Sequence, residues 1–171
     1  MIFLSIGSNQ NSEFGDRIYN INKTLDLLSN EKIDLLNISN IYESPSYPNK
    51  DLPKFLNIMT EINYKKNPLD LLKTILTIEK KMGRVRKKKN DPRTCDIDIV
   101  DFNGLNITLD NLNLPHPHCH ERNFVLLPLK DISPNWIHPI SKEKIDNLIN
   151  KLDPISRNEI TRLNESVKVS K

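Results

Sequence analysis

The order in which two hydrophobic periods alternate along the chain constrains the fold more than any other feature of the sequence. Side chains alternate with period two in a strand, whereas a helix buries one face with a period near 3.6 residues. Strand patterns occupy residues 2–6, 33–42, 55–64 and 93–100, and helical patterns occupy residues 16–28 and 68–83. The order β-α-β-β-α-β predicts an α+β fold of the ferredoxin-like kind, with a mainly antiparallel sheet covered by helices in a three-layer α/β/α arrangement. We expect one domain spanning residues 1–171.

Three features of the second half of the chain complete this prediction. Asn103-Gly104 is a hairpin signal that would return the chain through residues 105–109. A last helix is predicted after Ser141. From about residue 154 onward the chain is polar, so we expect a loosely held tail.

Composition and cysteine use favour a cytoplasmic protein. With 37% hydrophobic and 27% charged residues, the chain is typical of soluble domains. It has no run approaching the roughly 18 apolar residues that a membrane helix needs, and its opening MIFLSIG is too short for a signal-peptide core. Cys95 and Cys119 form no CxxC motif and no disulfide framework. We expect a monomer in a reducing cytosol, with an organelle whose targeting segment has been removed as the alternative.

Two carboxylates stand two residues apart in the segment 93-RTCDIDIV-100. On a strand, Asp96 and Asp98 point to one face, roughly 6 to 7 Å apart, and the intervening isoleucines point to the other. A hard cation such as Mg²⁺ prefers oxygen ligands and is typically held by one or two carboxylates together with substrate phosphates. The pair is therefore a candidate magnesium site, and a solvated strand face is the alternative.

The basic charge of the chain is concentrated next to this strand. Residues 84–93 (RVRKKKNDPR) contain six basic residues and one acidic residue, while the whole chain has a net charge of only +3. Arg84, Arg86 and Arg93 can grip phosphate oxygens bidentately, and the lysines, Lys89 among them, act as point charges. Because aromatic interleaving is absent, a small polyphosphate suits this loop better than a nucleic acid; a nucleic-acid contact and an exposed basic loop without a ligand stay the alternatives. No GxxxxGK[ST] or GxGxxG motif is present, so metal and side chains would have to bind the phosphates.

The segment 115-PHPHCHER-122 carries three histidines. His116, His118 and His120 could in principle ligate zinc, but the sequence offers no obvious further ligands. We favour an imidazole beside phosphates, with Arg122 close by. Glu79, near the end of the second helix, is either a helix-surface carboxylate or an acceptor for a ligand or a loop arginine.

Aromatic residues form a further group of candidates. Tyr47, Phe55 and Phe124 could sandwich a flat heterocycle. Asn57 lies on the same strand face as Phe55, where its amide could hydrogen bond the edge of the ring system. Core packing is the alternative for each of these side chains.

Taken together, these segments resemble the 6-hydroxymethyl-7,8-dihydropterin pyrophosphokinase family of folate biosynthesis. The resemblance runs from about residue 2 to residue 152. It is carried by IGSN at 6–9, YESP at 42–45, FLN at 55–57, IEKKMGRVR at 78–86, DPRTCDIDIV at 91–100, LPHPHCHERNFVLLPL at 114–129 and SPNWIHP at 133–139. The spacing from GRVR through PRTxDxDI to PHxxxxxRxFVLxPL is highly specific.

The resemblance implies transfer of the βγ-pyrophosphoryl group of ATP to the hydroxymethyl group of the pterin, with release of AMP. It implies that Asp96 and Asp98 hold two Mg²⁺ ions, and that Arg84 and Arg93 neutralise charge that develops on the phosphates. The implied ATP site comprises Glu79, Arg86, Lys89, Ile99, His116 and Arg122. The implied pterin site comprises Ser44, Pro45, Tyr47, Phe55, Asn57 and Phe124. ATP and the pterin are the implied partners, with no nucleic acid and no membrane.

The sequence departs from the family pattern at several positions. Many relatives have an arginine, an aromatic residue and a glycine where this chain has Lys89, Asn90 and Asp91. Loss of the aromatic residue removes a contact over the pterin, so we expect an active enzyme with weaker pterin binding. Phe55 stands where a tyrosine is common, and Pro117 replaces a residue that is often aromatic.

Two other functions remain open from the sequence. A nucleic-acid-binding module would use the basic loop and would keep its affinity without Asp96 and Asp98. A palm-type nucleotidyl transferase would use the paired aspartates but would release pyrophosphate rather than AMP.

Overall fold

The computed structural model describes residues 1–84 and 91–169 as an α+β fold. Strands β1 to β8 comprise Ile2–Ser8, Asp34–Ile38, Tyr42–Ser44, Phe55–Asn63, Asp96–Phe102, Ile107–Leu109, Leu112–Leu114 and Thr161–Arg162. Helices α1 to α5 comprise Arg17–Asn30, Pro68–Lys81, Asn123–Ile132, Ile145–Lys151 and Pro154–Asn158, and a short 3-10 helix spans Cys119–Glu121. No helix within the two described ranges is long and apolar enough to cross a membrane.

The main sheet has the strand order β5-β1-β4-β3-β8, and β2 also pairs with β4. Each of these pairings is antiparallel in the described part of the chain, which confirms the predicted α+β class with a mainly antiparallel sheet. The inner strand β1 lies between β4 and β5 and sets Gly7 opposite both Asn57 on β4 and Asp96 on β5. This register brings residues from three strands together at one end of the sheet.

Hydrophobic side chains on both faces of this sheet are buried. Along β1, Leu4 and Ile6 point into a core that they share with α1 and α2, whereas Phe3 points into a second core shared with α3 and α4. Full burial of one such side chain stabilises the fold by about 1.5–3 kcal/mol. The two cores therefore hold the sheet rigidly between helices on both sides.

Local signals in the sequence determine where the two long helices begin. The Asp16 side chain accepts a hydrogen bond from the Tyr19 amide at 2.8 Å and caps α1. Asn67 caps α2 by accepting from the Asp70 amide at 2.9 Å. Each such cap contributes about 1 kcal/mol. Gly83 follows α2 with a φ of 78°, a conformation that glycine adopts at low cost and that ends a helix.

The predicted return of the chain beside β5 is wrong. Asn103 and Gly104 do form a turn, with φ values of 54° and 71°. The segment that follows, however, pairs as β6 with β7 in a separate two-stranded sheet. Burial explains this choice, because Leu112 and Leu114 of β7 join the core beneath α1 and α2, while Leu109 of β6 stays exposed.

The predicted strand at residues 33–42 is divided into β2 and β3. Ser39 interrupts it: its amide donates to the Met59 carbonyl at 2.9 Å, and its hydroxyl accepts from the Met59 amide at 2.9 Å. A side-chain hydrogen bond thus replaces a bond of the strand ladder. β2 ends before this residue and β3 begins after it, each paired with β4.

The expectation of a loosely held tail is also wrong for most of its length. β8 pairs with β3, which sets Arg162 opposite Tyr42, and the Leu163 amide donates to the Ile41 carbonyl at 2.8 Å. Leu163 and Val167 pack against the core beneath α1 and α2. Two apolar residues therefore anchor a segment whose overall composition predicts a solvated tail.

Candidate active site

The two aspartates of β5 lie on the sheet face opposite to the core beneath α1 and α2. Ile97 and Ile99 are buried in that core, so Asp96 and Asp98 point to the other face, as strand alternation predicts. Both carboxylates line two adjoining cavities. Ligands in the two cavities would meet at this pair.

The first cavity brings together residues from β1, β3, β4, β5 and the start of α3. It is lined by Ser5, Gly7, Ser44, Pro45, Tyr47, Phe55, Asn57, Arg93, Asp96, Asp98, Arg122 and Phe124. Every side chain that the family resemblance assigns to the pterin is in this set. Ser44 and Asn57 are buried at its floor, whereas Tyr47 at its mouth is 76% exposed.

The floor of this cavity depends on Gly7. A Cβ atom at Gly7 would lie 3.2 Å from Asn57 Oδ1 and 3.3 Å from Phe55 Cδ1, so a larger residue would displace both side chains. Asn57 Nδ2 donates to Ser44 Oγ at 2.9 Å. This hydrogen bond fixes the orientation of the buried amide.

The second cavity has a volume of about 320 Å³ and lies between α2, β5 and the turn that joins β6 to β7. Its lining comprises Leu72, Ile75, Leu76, Glu79, Arg84, Asp96, Ile97, Asp98, Ile99, Asp110, Asn111, Leu112, Asn113, His116 and Pro117. Three of the residues that the resemblance assigns to ATP, namely Glu79, Ile99 and His116, are in this set.

Of the other three residues that the resemblance assigns to ATP, only Arg122 is among the described residues, and it does not line the second cavity. Arg122 lines the first cavity instead, with its guanidinium carbon 5.6 Å from the centre of the Phe124 ring. Arg86 and Lys89 lie outside the described residues.

Asp96 is held between two arginines. Its Oδ1 pairs with Arg84 Nη1 at 2.6 Å, and its Oδ2 pairs with Arg93 Nη2 at 2.6 Å. Arg84 also pairs with Glu79, which is only 3% exposed and whose Oε1 accepts from the Ile97 amide at 2.9 Å. Burial alone would lower the pKa of Arg84, but the charges of Asp96 and Glu79 raise it above its ordinary value. Glu79 is therefore a buried acceptor for an arginine rather than a helix-surface carboxylate.

Asp98 lies outside the two arginine pairs described for Asp96. Burial and then the charge of Asp96 raise the pKa of Asp98 to about 7, against the opposing effect of Arg122. Its side chain is 42% accessible because it opens into the cavities. A divalent cation bound beside Asp98 would favour the charged form of this carboxyl and lower its pKa.

His116 lies beside Asp98 as a neutral ring. Its Nε2 is 4.0 Å from Asp98 Oδ2. Its Nδ1 accepts from the His118 amide at 3.1 Å, so the proton of the neutral ring is on Nε2. Burial, and then the charge of Arg122, lower the pKa of His116 to about 4. Near pH 7 this side chain is a neutral hydrogen-bond donor.

The three histidines of residues 115–122 do not converge on a zinc site. The group of potential ligands that does converge, among the residues described, is Cys119, His120 and His138. His138 Nδ1 accepts from the Ser141 amide at 3.0 Å, so the neutral ring keeps its proton on Nε2, where a metal would have to bind. Burial also raises the pKa of the Cys119 thiol to about 12. We assign no metal to this group.

Asn9 joins the wall of the first cavity to Arg93. Its Oδ1 accepts from the Arg93 amide at 2.7 Å, while its Nδ2 donates to Ser46 Oγ at 3.2 Å and to the Pro53 carbonyl at 3.1 Å. The Arg93 guanidinium carbon lies 4.9 Å from the centre of the Phe55 ring. The buried Nε of Arg93 has no hydrogen-bond partner within residues 1–84 and 91–169. An unpaired buried donor costs about 1–3 kcal/mol. A movement of the Arg93 side chain that lets Nε donate to a bound anion would remove this cost.

The sequence did not identify Gly7, Asn9 or residues 110–113 of the β6–β7 hairpin as parts of the site. The IGSN motif at 6–9 was the available signal for the first two, because a glycine inside a strand indicates a close approach to the backbone. No pattern marks residues 110–113. Their contribution depends on the β6–β7 hairpin, whose pairing was not predicted.

Comparison with known proteins agrees with the geometry of the site. The model of the 7,8-dihydro-6-hydroxymethylpterin-pyrophosphokinase (HPPK) family matches residues 3–134. The chain is 37% identical over 131 residues to the 2-amino-4-hydroxy-6-hydroxymethyldihydropteridine pyrophosphokinase of Bacillus subtilis, a match that covers 76% of each chain. It is 35% identical over 144 residues to the protein of the same name from Aquifex aeolicus, covering 84% of this chain and 87% of that one.

A similar match extends to a much longer protein. The chain is 42% identical over 139 residues to the folic acid synthesis protein FOL1 of Dictyostelium discoideum, and this match covers 81% of the chain. The chain spans only 20% of the length of that relative.

Solved structures share the fold at low sequence identity. The structure of Plasmodium falciparum HPPK-DHPS A437G with SDX-DHP superimposes with a TM-score of 0.72 at 17% identity. The match covers 94% of this chain and 46% of that one.

Two cavities that share a pair of carboxylates form a candidate site for the transfer of a group between two ligands, the kind of site that a transferase has. The match to a family model over residues 3–134 identifies the family to which such a site belongs. The chain belongs to the 7,8-dihydro-6-hydroxymethylpterin-pyrophosphokinase family, which confirms the resemblance found in its sequence.

Proposed function

We propose that this chain transfers the βγ-pyrophosphoryl group of ATP to the hydroxymethyl group of 6-hydroxymethyl-7,8-dihydropterin, giving AMP and the pterin diphosphate. One observation carries the proposal: an aromatic-walled cavity and a more polar cavity share Asp96 and Asp98 in their linings. A pterin in the first cavity and ATP in the second would bring the hydroxyl and the phosphates together at these carboxylates. Holding two reactants in the right orientation supplies a large part of the rate acceleration in such reactions.

The first cavity suits a flat heterocycle with polar edges. Phe55 and Phe124 would stack on the ring system, and the exposed Tyr47 would cover its outer side. The buried amide of Asn57 and the hydroxyl of Ser44 would hydrogen bond the ring edge. Buried polar groups that lose such partners are costly, so these two side chains favour a pterin over an apolar ring of equal size.

The second cavity suits a nucleoside triphosphate. Leu72, Leu76 and Ile99 offer apolar surface for the base. His116 would donate from Nε2 to a phosphate oxygen without adding charge. Arg122 would reach the terminal phosphates from the side of the first cavity.

The residues at the junction fit a magnesium site. Asp96 and Asp98 offer hard oxygen ligands from one rigid strand, beside the cavity that suits phosphates. Bound Mg²⁺, of which two ions are expected, would neutralise the triphosphate and polarise the phosphorus under attack. Asp98, which lies outside the arginine pairs described for Asp96, is the carboxylate available to orient the pterin hydroxyl.

Arg84 and Arg93 would exchange partners when ATP binds. Both pair with Asp96 in the described structure, and phosphate oxygens accept the same bidentate donors. This exchange would free the carboxylate to bind a cation and would move both guanidinium groups to charge that develops on the transferred group. Arg86 and Lys89 are assigned to ATP by the family resemblance alone.

We also infer a ferredoxin-like, three-layer arrangement in one domain that acts as a cytosolic monomer. The order of β5, β1 and β4 in the sheet, with helices packed on both faces, supports the fold assignment. Cys95 and Cys119 are buried free thiols, which supports a reducing compartment.

Product analysis tests the proposal. The chain is incubated with ATP, Mg²⁺ and 6-hydroxymethyl-7,8-dihydropterin, and the nucleotides are separated. AMP that forms only in the presence of the pterin would support the proposal. ADP would indicate transfer of a single phosphoryl group, and release of pyrophosphate would indicate a nucleotidyl transferase; either product would refute it.

A further inference from the structure

We propose that residues 153–163, here called the C-terminal strap, set the width of the first cavity by holding its two walls. One wall is the start of α3, which carries Phe124. The other is the proline-rich loop at residues 45–53, which carries Tyr47. The inference rests on the proposed function of this cavity as the pterin site.

The strap is tied to the α3 wall through a buried asparagine. Asn123 is the first residue of α3, directly before Phe124, and is only 7% exposed. Its Nδ2 donates to the Ser156 carbonyl at 2.5 Å. Ser156 is in turn fixed within α5, because its amide donates to the Asp153 side chain at 2.9 Å. The position of Phe124 is therefore coupled to the strap.

The strap is tied to the loop wall through an ion pair. Lys50 Nζ lies 2.5 Å from Glu159 Oε1. With 60% of the lysine and 31% of the glutamate side chain accessible, this pair adds little to the stability of the whole protein. It does join the strap to the loop that carries Pro45 and Tyr47, and even a weak bond biases the position of a loop.

The end of the strap is anchored to the sheet. β8 pairs with β3 by setting Thr161 opposite Glu43, and the next residue of β3 is Ser44, which lines the first cavity. Arg162 also donates to Asn40 Oδ1 at 2.9 Å. The strap thus has a fixed end on the sheet and two polar contacts to the walls.

A further cavity lies between the strap and the two walls beside their polar contacts. It has a volume of about 610 Å³, and its lining includes Ser156 and Glu159 of the strap, Tyr47 and Lys50 of the loop wall, and Phe124 of the α3 wall. Across such a space, the polar contacts rather than apolar packing transmit the position of the strap. Asn123, Lys50 and Glu159 do not line the first cavity, so they are positioning residues rather than catalytic ones.

Reversal of the ion pair tests the loop contact. Lys50→Glu and Glu159→Lys are made singly and together, and the dissociation constants of pterin and ATP are measured by titration calorimetry. Each single reversal is expected to raise the pterin Kd about three- to tenfold, because an attraction becomes a repulsion. The double reversal is expected to restore it, and the ATP Kd should not change in any variant.

The pair Lys151–Glu143 supplies a matched control. It joins the same residue types at nearly the same exposure, 66% and 30%, and no residue of either cavity takes part in it. Its reversal is expected to leave the pterin Kd unchanged. An equal effect in the control pair would overturn the inference.

Asn123→Ala tests the α3 contact. The pterin KM is expected to rise about tenfold with little change in kcat or in the ATP KM, because a buried hydrogen bond is lost. Asn158→Ala, at an exposed position of the same strap, serves as the control.

Several results would overturn the inference. Unchanged pterin affinity in both single reversals, or no recovery in the double reversal, would show that the loop contact does not set the cavity. An unchanged pterin KM in Asn123→Ala, or an equal loss of pterin and ATP binding in a variant that melts with the parent, would show that the α3 contact does not act on the first cavity. A parent chain that binds no pterin at all would refute the proposed function itself, and with it the inference, and this outcome is recognised before any variant is made.

Discussion

Replacing Glu79 by glutamine should destabilise the protein by about 2–3 kcal/mol. Glu79 is 3% exposed, pairs with Arg84, and accepts from the Ile97 amide at 2.9 Å. Glutamine keeps the shape and one acceptor oxygen, but it removes the charge beside a guanidinium whose side chain is only 15% exposed. Loss of one partner from a buried ion pair costs about 3–5 kcal/mol, and Asp96 offsets part of that cost because it also pairs with Arg84.

Thermal unfolding measures this effect. For a domain of this length, 1 kcal/mol shifts the Tm by about 2–4 °C, so the expected decrease is about 4–12 °C. Glu31→Gln is the matched control, because Glu31 pairs with Lys81 at 3.0 Å but the two side chains are 40% and 51% exposed. Its expected cost is below about 1 kcal/mol. A Glu79→Gln protein that melts with the parent, or with the Glu31→Gln control, would refute the account of Glu79 as a buried ion-pair partner.

Two further substitutions test the site and the fold. Gly7→Ala should raise the pterin Kd about tenfold, because the added Cβ meets Asn57 and Phe55 at 3.2 and 3.3 Å; a titration that gives the parent value would contradict the close approach. Tyr42→Phe should flatten the alkaline loss of stability, since burial and then the hydrogen bond to Asp131 raise the Tyr42 pKa from 10.0 to about 12. The stability linked to this raised pKa is fully present below pH 10 and is lost as the pH rises to 12, at a cost of about 3 kcal/mol in the parent. If the free energy of unfolding in urea falls equally steeply over this pH range in the parent and in Tyr42→Phe, the account of Tyr42 is refuted.

The parts of the fold that were predictable depend on local patterns. The alternation around Asp96 assigns the aspartates and the isoleucines to opposite faces in sequence and in structure alike. Helix starts follow from caps such as Asp16 and Asn67, which act within one turn.

Long-range pairing could not be predicted in the same way. The turn at Asn103-Gly104 shows where the chain reverses, but the partner of the following strand depends on the burial of Leu112 and Leu114. The strap resembles a solvated tail because few of its residues are apolar, and the contacts of Leu163 are with residues far away in the sequence, such as Ile41.

The candidate site also has parts that could be predicted from the sequence and parts that could not. Residue types and spacing identified the carboxylates and the aromatic walls of the first cavity. The partners of charged residues depend on tertiary structure: Glu79 is buried against Arg84, and Arg122 lines the first cavity rather than the second. No pattern in a single sequence specifies which of several cations a carboxylate will contact.

The rate of pterin-dependent AMP formation by Asp98→Asn tests most directly whether the two cavities serve one reaction at the paired carboxylates. We expect the rate to fall at least about 100-fold, because the substitution removes an anionic oxygen proposed to hold Mg²⁺ and to orient the pterin hydroxyl. The pterin Kd should stay within about threefold of the parent value, because asparagine keeps the shape of the side chain. Asp34→Asn, at an exposed position that accepts from Asn63 at 3.1 Å, should keep the parent rate. An Asp98→Asn protein that forms AMP as fast as this control would contradict the account.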